Sequence, residues 1–307
     1  MDGCNGTRWK KFLEPAAYVR KAKRIIMRVI GISSLALANL VLKFPENKGV
    51  FEDSMRRVIG QQFKKIQLPG RKEESLLMHV NGSLTAFRCE TFFSKEPETI
   101  EWVDSLEPGS VLWDIGANVG VFSLYAAKMR NCRVLAFEPS IFNLEVLGKN
   151  IFLNGLQDKI HIVPVALSCQ DGVNTFQMGD IQYGGACSAF GVDFGFDGRA
   201  MQPQFAYSLL GLKGDTIAAI GVLPRPDYIK LDVDGIEHFI LQGMTHVLSE
   251  KNVKSAIIEG NENFKDQVEQ INKIMQACGF VLREKRHSEM FEEGKFSGTY
   301  NQVWDKV

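Results

Sequence analysis

Four ionisable side chains, Lys230, Asp232, Asp234 and Glu237, fall within the ten-residue stretch Tyr228-Ile-Lys-Leu-Asp-Val-Asp-Gly-Ile-Glu237. Charges crowded at the end of an apolar run are costly unless they are paired, bound to a metal or engaged with a substrate. Lys230, Asp232 and Asp234 alternate with Ile229, Leu231 and Val233, so on a strand they share one face. A carboxylate held beside an ammonium can take the proton of a hydroxyl, which a weak oxygen nucleophile needs before it attacks. Asp232 is the expected catalytic residue, with Lys230 and Glu237 beside it. The same residues also admit a structural account, a Lys230 carboxylate pair with Glu237 capping a helix.

A second constellation is Val111-Leu-Trp-Asp-Ile-Gly-Ala-Asn-Val-Gly120, an apolar run that meets an acid and then two glycines. Gly116 and Gly120 can adopt positive φ and let backbone N–H groups approach a ligand at a helix N-terminus. The third glycine of a dinucleotide fingerprint is missing. S-adenosyl-L-methionine has no pyrophosphate and carries an ammonium that Asp114 can orient, so Asp114, Gly116 and Gly120 are expected to hold such a ligand. Glu138 lies about 20 residues past the turn, where an acid grips the two hydroxyls of a ribose. Glu259, ending a later apolar run, would stand beside Asp232 if the two strands are neighbours, and the pair are candidate oxygen ligands for Mg²⁺.

These groups require parallel strands wound with right-handed crossovers, so that their carboxyl ends open on one crevice. Strands are expected over 111–115, 133–139, 159–168, 226–235 and 253–260, with helices over 121–128, 143–154, 236–243 and 264–277 between them. A strand at 280–283 and a closing strand at 300–306 should form an antiparallel hairpin. A return strand is expected at 173–177. Residues 179–198, rich in glycine and aromatics and without helical period, read as a flap facing the substrate. Before the core, Pro97 opens a helix over 97–106. Asn81-Gly82 predicts a hairpin between strands at 76–80 and 84–89.

The 307 residues carry 36 basic and 36 acidic side chains, so no global field points to nucleic acid. Six scattered cysteines without a C-x-x-C pair suit reduced thiols in a cytoplasmic protein. Residues 1–50 differ from the rest: eight basic residues precede an apolar run at 29–42 that is shorter than the roughly 20 residues needed to span a bilayer. That run packs on the domain or on a second copy of the chain in one reading. In the other, residues 20–45 lie as a basic amphipathic helix on an anionic membrane surface. The chain thus divides into an N-terminal segment (1–50), an accessory region (51–108) and a core domain (109–307).

Lys95-Glu-Pro-Glu98, Trp113-Asp-Ile-Gly-Ala-Asn-Val-Gly120, Ala136-Phe-Glu-Pro139 and the stretch from Tyr228 to Glu237 together resemble the FkbM-type methyltransferases, over about residues 75–305. The resemblance implies a Rossmann-like class I methyltransferase fold: an α/β domain with a mostly parallel seven-stranded twisted sheet, helices on both faces and a C-terminal antiparallel hairpin. It also implies transfer of a methyl group from S-adenosyl-L-methionine to a hydroxyl of a sugar, glycan or natural product. Asp114, Gly116, Asn118 and Gly120 would line the methionine end of the cofactor and Glu138 would take its ribose. Asp234 stands where the family usually has Glu, and Ala218 and Ala219 where it often has acids. Two other classes fit parts of the pattern: a catalytically silent subunit that binds the same cofactor, and a nicotinamide-dependent oxidoreductase, which the missing glycine disfavours.

Overall fold

The computed structural model describes residues 62–71 and 73–307, and residues 62–307 form one compact unit. The segment at 1–50, the first part of the accessory region and the membrane contact expected through residues 20–45 lie outside the described residues. Among the described residues no helix is long and apolar enough to cross a membrane.

The described chain begins with β1 (Phe63–Gln67) and β2 (Ser75–His79), an antiparallel pair, followed by helices α1 (Ser83–Glu90) and α2 (Pro97–Ser105). An alternating run comes next: β3 (Val111–Ile115), α3 (Val121–Met129), β4 (Arg133–Phe137), α4 (Ile141–Leu153) and β5 (Ile160–Val163). Strands β6 (Ala166–Leu167), β7 (Gly172–Met178), β8 (Ser188–Phe190) and β9 (Phe205–Leu212) precede helix α5 (Gly214–Ile220). The chain then runs through β10 (Tyr228–Leu231), α6 (Glu237–Gln242), α7 (Thr245–Ser249), β11 (Ser255–Asn261), α8 (Lys265–Ala277), β12 (Phe280–Arg286) and β13 (Thr299–Lys306).

The main sheet has seven strands in the order β12-β13-β11-β10-β3-β4-β5, and β13 alone runs against the others. This is the Rossmann-like class I methyltransferase architecture, with the antiparallel hairpin at its C-terminal edge. From β3 the chain winds outward through β4 and β5, and it resumes on the other side of β3 at β10. The crevice at the carboxyl ends of β3 and β10 is therefore the topological switch point, where open α/β sheets take their ligands.

Two apolar cores lie on opposite faces of this sheet. Alternate residues along each strand enter different cores, Trp113 and Ile115 one and Leu112 the other, because successive side chains point to opposite faces. Both faces are covered, so β3 is buried at every position. Burial of apolar surface on this scale contributes about 25 cal/mol per Å². Hydrogen bonds fix the register between layers: Trp102 Nε1 donates to Ser255 Oγ at 3.0 Å, joining α2 to β11, and Trp113 Nε1 donates to the Pro224 carbonyl at 3.0 Å.

The structure corrects the expected hairpin at Asn81-Gly82. Residues 83–90 are helical, and β2 pairs instead with β1, back across the turn at Pro69 and Gly70. The Asn81 N–H donates to Thr85 Oγ1 at 3.1 Å, and Thr85 and Cys89, one turn apart, are the buried residues of α1. The other edge of β2 is already satisfied by asparagine side chains of α4 and its C-cap. Asn154 bonds both the N–H and the carbonyl of Leu77, and Asn150 Oδ1 accepts from the His79 N–H at 2.7 Å. With that edge taken, no third strand is needed.

The strand expected over 159–168 is divided. Pro164, which has no N–H for a ladder, separates β5 from β6, and β6 belongs to a second sheet of order β6-β9-β7-β8. The expected return strand at 173–177 is β7, whose partners β8 and β9 were not anticipated.

Candidate active site

The Gly turn leaves β3 with Gly116 at φ 82°, Asn118 at φ 52° and Gly120 at φ 87°. Gly116 must be glycine for a second reason: a Cβ there would collide with the carbonyl oxygen of Asp232. The turn and the end of β10 are therefore in backbone contact. Two N–H groups of the turn, from Gly116 and Ala117, donate to the Phe137 carbonyl at 3.0 Å each. The third, from Asn118, donates to Glu138 Oε2 at 2.7 Å. Glu138 Oε1 accepts from the Ser140 N–H at 2.8 Å and from Asn143 Nδ2 at 3.4 Å. Burial pushes the Glu138 carboxyl up to about 7, against those hydrogen bonds.

Asp114 is wholly buried and takes no part in any cavity wall. Its Oδ2 accepts from Ser123 Oγ in α3, and its Oδ1 has no hydrogen-bond partner but lies 3.7 Å from Lys230 Nζ. Lys230 sits directly opposite it in the β3–β10 register, and its ammonium is 3.2 Å from Asp232 Oδ2. Burial lowers the Lys230 pKa, but Asp232 and Asp114 together outweigh it and keep the ammonium charged. Burial likewise raises Asp232, and Lys230 reverses this and holds its carboxyl below the usual range.

Glu259 reaches the same place from β11 and shares a side-chain hydrogen bond with Asp232. Burial and the neighbouring Asp232 charge raise Glu259 well above an ordinary carboxyl. Among the described residues no three His, Cys, Asp or Glu side chains gather as a metal ion would need. Asp232 and Glu259, the pair expected as Mg²⁺ ligands, both line the larger of the cavities described below.

Glu237, expected beside Asp232 as a catalytic group, faces elsewhere. Its carboxylate accepts from the backbone N–H of Val233 at 2.9 Å and of Gly235 at 3.1 Å, and from Gln267 Nε2. It is 1% exposed and lines neither cavity described below. Glu237 fixes the loop that presents Asp232 and Asp234 and does not cap α6.

Two cavities meet at these residues. One, of about 580 Å³ including its open mouth, is lined by Phe137, Glu138, Val165, Leu167, Phe176 and Ile236 and is mostly apolar. The other, of about 1340 Å³ including its open mouth, is the more polar of the two and includes Arg88, Lys95, Lys230, Glu259, Phe122 and Phe296. Gly116, Asn118, Ala186, Asp232 and Asp234 belong to both walls. Asp232 therefore stands at the junction of an apolar and a polar compartment.

Residues 179–198 strap this junction, and they include β8. Asn118 Nδ2 and Asn143 Nδ2 both donate to the Gly185 carbonyl, at 2.7 and 3.1 Å, and the Gly184 N–H donates to Asn143 Oδ1 at 2.9 Å. Arg88 donates through Nε and Nη2 to the Gly184 carbonyl at 2.9 and 2.7 Å, and the Cys187 N–H donates to Asp234 Oδ2 at 2.7 Å. Asp234 reaches that N–H from a left-handed backbone at φ 62°. Arg88, Lys95 and Asn143 were not singled out for this site from sequence.

Comparison with known proteins decides the family. The sequence profile described as the Methyltransferase FkbM domain matches residues 114–282, more than half of the chain. The chain belongs to the FkbM methyltransferase domain family. Among relatives, it is 26% identical over 168 residues to a hexuronic acid methyltransferase, AglP, of Haloferax volcanii, a match covering 53% of this chain and 62% of that one. It is 34% identical over 71 residues to methyltransferase sdnD of Sordaria araneosa, covering 23% of this chain and 27% of that one. The chain thus spans less than two thirds of the length of either relative. Among solved structures it is similar to the methyltransferase FkbM from Methylobacillus flagellatus KT, with 14% identity, a TM-score of 0.44 and coverage of 72% of this chain and 52% of that one. It is also similar to M. jannaschii TYW2 in complex with AdoMet, with 13% identity, a TM-score of 0.41 and coverage of 80% and 90%.

Proposed function

We propose that this FkbM-family protein transfers the methyl group of S-adenosylmethionine to a hydroxyl oxygen of a sugar, a glycan or a related natural product. The observation that carries this reading is the position of Asp232, ionised between Lys230 and Glu259, at the wall where the apolar and polar cavities meet. Family membership supports the reaction class. The relative named for hexuronic acid supports a sugar acceptor.

The residues fit the methyl donor. Glu138 accepts three hydrogen bonds from the protein, two at Oε1 and one at Oε2, and a carboxylate has about four such sites, so Oε2 keeps a site for a ribose hydroxyl. Phe137, Val165, Leu167 and Ile236 offer an apolar wall beside Glu138. The turn from Gly116 to Gly120 brings backbone close to the methionine end. When bound, the donor supplies a methyl group on a sulfonium, open to in-line displacement.

This chain's own residues do the rest. Asp232 takes the proton of the acceptor hydroxyl as the oxygen attacks, and Lys230 keeps that carboxylate ionised until then. Asp114 and Ser123 anchor Lys230 from behind. Glu237 sets the loop carrying Asp232, so that the base is oriented before substrate arrives.

The reading is tested by supplying methyl-labelled S-adenosylmethionine and a panel of sugars and glycans, with product mass spectrometry. A gain of one methyl group on oxygen is expected. Donor binding with no methylated product across the panel, and no change in the methylation of cellular glycans when the protein is removed, would favour the silent binding subunit instead.

A further inference from the structure

The cations that line the polar cavity are of two kinds. Lys95 is paired with Glu96, and Lys230 with Asp114 and Asp232. Arg88 and Lys295 have no carboxylate within ion-pair distance among the described residues. Arg88 is half-buried, and the Gly184 carbonyl engages only its Nε and Nη2. A guanidinium has five N–H donors in a planar fork, so several remain for a ligand. Lys295 lies over the rings of Phe196 and Phe296, 5.6 and 4.6 Å from their centroids.

The acids on the same walls form no close ion pair with these cations. Glu96 and Asp232 are taken by lysines, and Glu259 is bonded to Asp232. Asp180 accepts from the Gln182 N–H and Asp234 from the Cys187 N–H. The cavity thus has a base at one end and unpaired donors elsewhere, with Phe122, Phe291 and Phe296 between to take the apolar face of a ring. Arginine matches a carboxylate or phosphate through two parallel hydrogen bonds.

We propose that the methyl acceptor carries an anionic group, a carboxylate or a phosphate separate from the methylated hydroxyl, that is bound by Arg88 and Lys295 in the polar cavity. This rests on the polar cavity being the acceptor site of the reaction proposed above. The group positions the hydroxyl against Asp232, and Arg88 and Lys295 set specificity without touching the reacting atoms.

The test is calorimetry on the full chain, first with S-adenosylhomocysteine and then, with that ligand saturating, with D-glucuronate, D-glucose 6-phosphate and D-glucose. At least one anion should bind the wild-type protein roughly tenfold more tightly than glucose, and the margin should shrink as salt is raised. Which anion wins separates carboxylate from phosphate. The margin should vanish in Arg88→Gln, return in part in Arg88→Lys and fall in Lys295→Gln. Lys295 is exposed, so that variant decides the matter if Arg88→Gln does not fold. Equal binding of all three sugars, no binding of either anion up to tens of millimolar, or a margin that survives in both Arg88→Gln and Lys295→Gln overturns the proposal. Failure of S-adenosylhomocysteine to bind is a separate result and counts against the donor site itself.

Discussion

Lys230 on β10 stands directly opposite Asp114 on β3, with their charged atoms 3.7 Å apart and both side chains almost free of solvent. Removing one partner of a buried pair leaves an uncompensated charge, which costs about 3–5 kcal/mol. Lys230→Met should therefore lower unfolding stability by that order. The double variant Lys230→Met with Asp114→Asn should recover part of the loss, since no buried anion is left at 114. Urea unfolding of the set checks this, and equal losses in the single and double variants would show that the pair is not coupled.

Asp232 contributes to the reaction and little to the donor cavity's apolar walls. Asp232→Ala should keep S-adenosylmethionine affinity within a few-fold and reduce transfer by at least about 10². Transfer assays beside calorimetry separate the two effects. Unchanged turnover would remove Asp232 from its role as base.

Gly116→Val should lose both donor binding and turnover. The backbone there is left-handed, and any Cβ meets the Asp232 carbonyl. The new side chain must therefore push apart the ends of β3 and β10. Retained donor affinity would show that the turn is not where the donor's methionine end rests.

Much of this site can be read from the chain because a parallel strand covered on both faces is a short continuous apolar run, and the residue at its end is exposed to the crevice. Glu138, Asp232 and Glu259 were found in that way. What could not be read is which side of the strand end each carboxylate serves. Asp114 and Glu237 both turn into the protein, one to Lys230 and Ser123, the other to the N–H groups of its own loop. Arg88 and Asn143 act on the strap across 96 and 41 residues of sequence, and no local pattern marks such a contact. The hairpin at Asn81-Gly82 failed for a related reason, since the edge of β2 is occupied by Asn150 and Asn154 from α4. The N-terminal 61 residues lie outside the described residues.

Glu138 gives the account a pH dependence. Its carboxyl is raised by burial from 4.5 to about 7, and ribose hydroxyls donate best to the ionised form. Donor affinity should therefore fall as pH drops below 7, approaching about tenfold per pH unit. Without donor the sign is opposite. The folded state keeps its proton where the unfolded chain has lost it, so this contribution to stability is full below pH 4.5 and is lost as pH rises through 7. Glu237, also raised to about 7 mainly by burial, acts in the same direction. The thermal midpoint of the donor-free protein should decline between roughly pH 5 and pH 8, and Glu138→Gln should flatten both profiles. A donor affinity independent of pH across this window would separate Glu138 from the ribose.

The most direct test is calorimetric titration of the full chain at pH 8 with S-adenosylmethionine and, separately, with NAD. S-adenosylmethionine should bind once per chain, Glu138→Ala should weaken it by about tenfold or more, as the loss of a charge-assisted hydrogen bond implies, and NAD should give no heat. Binding of NAD in preference to S-adenosylmethionine, or no binding of S-adenosylmethionine at all, would contradict the assignment of the apolar cavity to the methyl donor.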